Sequence, residues 1–393
     1  MEYRLKKMSL VAIFDAIDNR CYLLLNSSLA SQYFNQMKTH SVHHIDPHTS
    51  ILERLLTACV GHSESVRLMR LMVIPAQISG IADGASVPGE VSRSHIAFAM
   101  NMLLFLDLIK RVPEGNAYVE DVARNDGKVF FDHGAVRTVL ISALGALPAG
   151  EIALTRVLKP LGYCLNDIYP LPRIKMTGRA YFHEDMREEM PQFFVSELHV
   201  DQFSTEFQAA AARVLESSID PLGSDDLALL KKLEQAHSLS FDEAVALLPA
   251  LLRCFSRQHG VPSLPDYEIL LKESQEMAWI ATEGNAFNHV TDRVPDVFAL
   301  AEEQRALGRS IKAKVEVSAR GTVRQTAFRA AEVERVFATE KGCIVRRVPG
   351  SFYEFISRDR IDRDGESNVL ELGFDSGNAT AIFQMTAADQ AAC

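Results

Sequence analysis

The sequence predicts an α+β protein in which two copies of one βαβββ module stand side by side as an open barrel around a metal. Three observations predict it. In KVFFDHGAVRTV the residues from Phe131 to Arg137 read as a strand, and side chains two apart share a face, so His133, Ala135 and Arg137 point the same way. A strand that only filled a core would seldom carry an imidazole and a guanidinium on one face, because an unpartnered buried charge is costly. The order strand, helix, several strands then occurs twice. Each copy offers a His early and a Glu late at nearly equal spacing, 197 − 133 = 64 from His133 to Glu197 and 354 − 289 = 65 from His289 to Glu354.

Residues 1–92 read as a helical extension with no assigned role, LERLLTACV and SVRLMRLMVI giving apolar faces before a linker, SGIADGASVPGE. His43, His44 and His48 read as a polar loop, since Pro47 breaks any helix that would align them. Residues 93–204 hold two leading helices and the first module. There EIALTRVLKPLGY is the helix, stopping at Gly162, while PRIKMTGRAYFH and PQFFVSELHV are later strands. Residues 205–275 read as an inserted helical lobe that serves as a lid. Residues 276–393 form the second module and a C-terminal segment. MAWIATEGNAFNHVTDRV reads as a strand reaching His289, DVFALAEEQRALG as a helix, and IKAKVEVS, TVRQTAFRA and GSFYEFISR as strands.

A chain of 393 residues with 47% hydrophobic and 23% charged residues can bury a large core, and a formal charge of −10 argues against a nucleic-acid partner. Cys21, Cys59, Cys164, Cys254, Cys343 and Cys393 are scattered without a CxxC pair, the pattern of reduced thiols in a cytoplasm. The longest apolar stretch, Ile96 to Ile109, is interrupted by Asn101 and Asp107 and is too short to span a membrane. Nothing in the sequence indicates an oligomeric state.

HGAVR at 133–137, GNAFNHVTDRV at 284–294, VRQTAF at 323–328 and VPGSFYEFI at 348–356 resemble the 2-oxoadipate dioxygenase/decarboxylase family, also called hydroxyglutarate synthase. The likeness runs over about 95–385. More broadly, the repeat looks like the vicinal oxygen chelate superfamily of glyoxalases and extradiol dioxygenases. The resemblance implies Fe(2+) held by His133, His289 and Glu354, with Arg137 clamping a substrate carboxylate. It implies O2-dependent conversion of 2-oxoadipate to 2-hydroxyglutarate and CO2, a step of lysine catabolism. Two histidines and one carboxylate would leave three positions open on an octahedral iron, enough for a chelating 2-oxo acid and O2.

Asn288 and Thr291 could instead satisfy His289 as a structural imidazole. Glu354, flanked on its own strand face by Phe352 and Ile356, needs a partner or a metal. Repeat symmetry puts Glu197 opposite Glu354, facing the substrate or the metal, with His199 on the same strand face. Gln325 is a candidate donor to a substrate oxygen and Arg293 a second candidate clamp. A pocket for the distal carboxylate could draw on the inserted lobe or on FDSGNATAIF. Two other functions fit parts of the pattern. One is a non-redox isomerase or lyase of the glyoxalase type, using a symmetric cage. The other is a non-catalytic small-molecule binding protein, against which the intact His, His and Glu set speaks.

Overall fold

The computed structural model describes residues 50–80, 89–142, 144–363 and 365–374. The loop with His43, His44 and His48, and all of FDSGNATAIF except Phe374, lie outside the described residues. In chain order the strands are β1 (Glu90–Ser92), β2 (Phe131–Leu140), β3 (Tyr163–Leu171), β4 (Met176–His183), β5 (Gln192–His199), β6 (Ser238–Ser240) and β7 (His289–Arg293). They continue as β8 (Glu316–Val317), β9 (Val323–Ala327), β10 (Glu332–Thr339), β11 (Gly342–Pro349), β12 (Phe352–Arg358), β13 (Arg360–Arg363) and β14 (Glu366–Leu370).

Eight of these form one curled sheet in the order β3-β4-β5-β2-β7-β12-β9-β8. Each half is one βαβββ module, with the helices Ile152–Leu158 and Val297–Ala306 as the crossovers. Within a half the first and last strands pair in parallel, β2 with β5 and β7 with β12, and the remaining pairs are antiparallel. The halves meet through the antiparallel β2–β7 pair, where Gly134 faces Val290. That pairing defines a local two-fold in which 289 − 133 = 156 positions carry a residue of the first module to its mate in the second.

One face of the sheet is closed by helices. Arg93–Arg111 is buried along nearly its whole length, which accounts for an apolar content exceeding that of a one-sided amphipathic helix; the Ser92 hydroxyl caps its start and Lys110 and Arg111 stand in its last turn. It shares a core with Leu52, Leu55 and Leu56 of the helix Ile51–Val60, Leu247, Leu248 and Leu251 of Phe241–Arg253, and strand residues Val136, Phe193, Val290, Tyr353 and Phe355. The segment 205–275 is helical, as its periodicity predicts. Its middle helices, Ser224–Ala236 and Phe241–Arg253, are built into this core, and β6 is tied to β1, whereas the helices Thr205–Leu215 and Leu264–Glu273 pack in a second cluster with Val139, Leu198, Phe337 and Val348.

Two readings need correction. MAWIATEG is not a strand but the end of the helix Gln275–Glu283, capped by the Ser274 hydroxyl and stopped at Gly284, which has φ 65°. Every residue from Glu276 to Glu283 is buried, and a short apolar run buried on all sides has no period that separates helix from strand. Strands also form where none was expected: β3, at one edge of the sheet, the β10–β11 hairpin inserted before β12, the short β1–β6 pair and the β13–β14 hairpin. β3 and the β10–β11 hairpin carry charged and half-exposed residues without clean alternation.

Gly134 is required by close packing. A Cβ there would lie 2.4 Å from the Phe287 ring, which is itself surrounded by Phe131, Phe193 and Phe255 at centroid distances of 6.2, 5.7 and 5.8 Å. Gly134→Ala is expected to cost ~1–3 kcal/mol in urea denaturation, partly restored by Phe287→Leu; an unchanged midpoint would show that the ring can move aside.

On the same helix-covered face, burial pushes the Asp292 carboxyl up to about 7 although the Tyr118 hydroxyl and the Phe130 N–H donate to it at 2.8 and 2.9 Å. The native state therefore holds this proton more tightly than the unfolded chain, whose Asp titrates near ~3.9. Stability from this group is full below that pH and is lost as pH rises toward 7. Thermal melts of Asp292→Asn against the parent should shift in favour of the variant between pH 4 and pH 8; a difference independent of pH would contradict the assignment.

Candidate metal centre

On the opposite face the central pairing sets His133 beside Thr291 and Ala135 beside His289, while β12 brings Glu354 alongside Thr291. The two imidazole centroids are 5.5 Å apart at 86°. One ligating atom each from His133, His289 and Glu354 falls within a 4.8 Å cluster, and all three residues are buried. Glu354 Oε2 is 3.5 Å from His133 Nε2 and 3.4 Å from His289 Nε2, and it accepts a 2.6 Å hydrogen bond from Thr291 Oγ1. Glu354 Oε1 is buried with no hydrogen-bond partner. A carboxylate oxygen left bare in the interior is expensive, and a cation between the three side chains would satisfy it, so the residues present fit a divalent metal.

Each histidine is oriented by the residue before it. His133 Nδ1 is 2.8 Å from Asp132 Oδ1 and His289 Nδ1 is 3.3 Å from Asn288 Oδ1, so both rings can donate from Nδ1 and turn the Nε2 lone pair inward. Asp132 and Asn288 are mates across the repeat, at the same offset that relates the two histidines. They differ in charge, and the rings respond. Burial opposes protonation of His133, but the Asp132 and Glu354 carboxylates outweigh it and raise the pKa. His289 faces an uncharged amide, and burial, helped by the positive charges of His133 and Arg137 against the pull of Glu354, lowers it to about 3. Burial pushes Glu354 up, yet the two histidines and Thr291 hold its carboxyl below the ordinary value.

Asp132 is itself fully buried. Burial would raise its carboxyl, but Arg358 and Arg293 hold it well below the usual range. Arg293 Nε donates to Oδ2 at 2.6 Å, and Arg358 donates from Nη2 to Oδ1 at 2.9 Å and from Nε to Oδ2 at 3.0 Å. Asp132 and Arg358 escaped the sequence reading. Their traces were the Asp-His and Asn-His dipeptides at matching repeat positions, and an Arg four residues after Glu354 on the same strand face.

Arg137 shares the face of His133 and is fully buried, its guanidinium carbon 4.9 Å from the centre of a Trp279 ring. Burial pulls it down to about 10 against the attraction of Glu276, so it stays cationic at neutral pH. Arg293 is its repeat mate, but its guanidinium is engaged by Asp132 and, at 3.1 Å, by the Glu188 carbonyl. Gln325 pairs with Ile356, two residues from the Ala327 that pairs with Glu354, and so faces the metal side; its amide donates to Glu316 Oε2 at 3.4 Å.

Glu197 is not brought to this face. His133 pairs with Gln192, which puts Gln192, Phe194 and Ser196 on the metal side and Glu197, opposite Thr138, on the other. Its carboxylate instead accepts from the Glu151 N–H at 2.8 Å and from Arg179 at 3.2 Å. His199 faces the same way, 2.8 Å from Thr177 Oγ1. The residue in register with Glu354 is Phe194, since Phe352 pairs with His289 as Gln192 does with His133. Glu197 lies three residues beyond Phe194, an odd offset that turns it to the other face, so the near-equal spacings of 64 and 65 do not mark equivalent positions.

A duplicated βαβββ sheet with two histidines and a glutamate converging between its halves is a vicinal-oxygen-chelate-like architecture with a candidate metal site. A family model for 2-oxoadipate dioxygenase/decarboxylase matches residues 105–368, and the chain belongs to that family of enzymes. It is 24% identical over 292 residues to the chloroplastic 2-oxoadipate dioxygenase/decarboxylase of Arabidopsis thaliana, covering 68% of this chain and 70% of the relative. Among solved structures it is similar to a glyoxalase-superfamily protein from Ralstonia eutropha JMP134, at 51% identity, TM-score 0.78, and coverage of 84% of this chain and 99% of that one. It shares the fold of the hydroxyglutarate synthase of Oryza sativa, solved with 2-oxoadipate, at 20% identity, TM-score 0.57, and coverage of 78% and 99%. Among the described residues no helix is long and apolar enough to cross a membrane.

Replacing His133, His289 or Glu354 by Ala should each remove high-affinity Co(II) binding in anaerobic titration while the circular dichroism spectrum is kept; wild-type affinity in any one variant would remove that residue from the ligand set.

Proposed function

We propose that this chain is an Fe(2+)-dependent dioxygenase that decarboxylates 2-oxoadipate and hydroxylates the shortened chain, giving 2-hydroxyglutarate and CO2. The observation that carries the reading is the buried trio of His133, His289 and Glu354 with one carboxylate oxygen unsatisfied and Phe194 in the register position of a fourth ligand. A three-residue set suits a metal that must also take a chelating substrate and O2. The symmetric four-ligand cage of a glyoxalase-type isomerase would need an acid where Phe194 stands. Family membership and the substrate named for the relatives support the choice of 2-oxoadipate. The reaction balances: one oxygen atom of O2 enters the new carboxylate, the other the hydroxyl, and C1 leaves as CO2.

Fe(2+), when bound, would supply the activation of O2, which is itself the oxidant. The protein contributes position and charge. Asp132 and Asn288 fix the imidazoles with Nε2 inward, and Thr291 fixes the carboxylate. Arg137 offers a desolvated guanidinium on the same face, suited to a bidentate grip on the substrate carboxylate. Gln325 is placed to donate to a second substrate oxygen. Arg293 acts on Asp132 and not on the substrate. The scattered cysteines support a cytoplasmic setting and the substrate a place in lysine catabolism.

Protein loaded anaerobically with Fe(2+) should take up O2 and release CO2 in equal amounts when given 2-oxoadipate. No uptake with any 2-oxo acid would overturn the proposal, and turnover sustained by Zn(2+) or Ni(2+) without O2 would favour an isomerase. Arg137→Ala should raise KM for 2-oxoadipate at least about tenfold with a smaller effect on kcat; an unchanged KM would refute the clamp.

A further inference from the structure

After β12 the chain runs out into the β13–β14 hairpin and returns at Glu371–Phe374 to the metal-facing side of the sheet. Arg358 stands at the base of this excursion. Its side chain is completely buried, and its guanidinium serves two groups at once. Nε and Nη2 donate to Asp132, the carboxylate that orients His133, while Nη1 donates to the main-chain carbonyls of Glu371 and Gly373, each at 2.8 Å. The returning segment then delivers Phe374. Its ring lies edge-on to His133 at 4.8 Å and packs on Phe194 at 5.0 Å and Tyr169 at 5.9 Å; the Arg358 guanidinium carbon is 5.1 Å from its centre, and its N–H donates to the Tyr169 hydroxyl at 3.1 Å. The outer end of the excursion is pinned as well, because Glu188 accepts from Arg360 and from the Leu370 N–H, both at 2.9 Å.

We propose that Arg358 is a positioning residue for the metal site, coupling the orientation of His133 to closure of the segment Glu371–Phe374, and that Phe374 is thereby held as an apolar wall of the substrate chamber beside the ligand. Neither role follows from the ligand trio, which touches neither residue except through the His133 ring. A planar guanidinium is suited to the task because its fork binds the carboxylate while a third nitrogen remains for the carbonyls. Burying the pair removes competing water, so losing Arg358 would free the segment and weaken the hold on the imidazole together. The aromatic wall excludes solvent from the side of the chamber where the first module contributes no ligand.

The inference rests on the proposed dioxygenase reading for the identity of the substrate, and the experiment keeps the two apart. In Arg358→Gln, anaerobic Co(II) titration should show affinity about 10- to 100-fold weaker with shifted visible bands, and amide hydrogen exchange over Glu371–Phe374 should be at least about tenfold faster. Phe374→Ala, which keeps Asp132 and Arg358 paired and guards against a folding artefact, should bind Co(II) within about twofold of the parent. Its Kd for 2-oxoadipate, read from the Co(II) bands without turnover, should be about tenfold weaker. Parent-like Co(II) affinity, bands and exchange in Arg358→Gln, or a parent-like 2-oxoadipate Kd in Phe374→Ala, would overturn the proposal. If the parent protein bound no 2-oxoadipate, the functional reading would fall, while the Co(II) and exchange measurements on Arg358→Gln would still decide the coupling.

Discussion

The antiparallel pairing of β2 with β7 is the contact on which the rest of the molecule depends. Each strand opens a module and carries one imidazole two residues from its mate's partner position, so a single register sets the distance between the histidines. The parallel pairing of β12 with β7 then slides Glu354 beside Thr291, between them. No loop is needed to assemble the ligands. All three sit on central strands whose backbones are locked by neighbours on both sides, which limits how far the site can relax when it is empty. The helix-covered face makes that rigidity possible: Phe287, Phe193 and Tyr353 fill the space behind the ligands, and Gly134 lets one of those rings approach the backbone.

The second constraint is electrostatic. Four ionisable residues, Asp132, Arg293, Arg358 and Glu354, are gathered around two imidazoles in the interior, an arrangement that is unfavourable unless every charge is answered. Asp132 is answered by two arginines, and Glu354 by histidines and a hydroxyl on one oxygen only. The unequal treatment separates a structural carboxylate from one reserved for a ligand. It also separates the histidines, since a charged partner supports positive charge on His133 while an amide leaves His289 neutral.

Much of this was legible in the chain. Alternation in FDHGAVR exposed His133 and Arg137 as face-sharing residues, and the repeated element order located His289 and Glu354, because strand period and module order are local properties. The long helix Arg93–Arg111 and the helices between 205 and 275 followed from apolar periodicity. What escaped depends on register and burial. Glu197 matched Glu354 by counting, yet a single loop leads into β5 whereas the β10–β11 hairpin precedes β12, and counting through unlike connections does not preserve side-chain parity. Trp279 and its neighbours are apolar on every side, so their helix left no period, and the half-exposed β10–β11 hairpin had no apolar face to display. Arg358 could be seen as a charged residue on the strand face of Glu354, but its partner lies 226 positions away.

Phe194 bears on charge as well as on ligand number. Two neutral imidazoles and one carboxylate leave a bound divalent ion with a residual charge of about +1, whereas a second carboxylate in the position of Phe194 would cancel it. Phe194, Tyr169 and Phe374 pack against one another beside His133, so that residual charge would be weakly screened there and would add to the cationic Arg137 on the same face. The broken symmetry of the repeat thus turns a neutral cage into a positively biased one, and a 2-oxo acid arriving as an anion meets a field that favours its entry over that of any neutral molecule of the same shape.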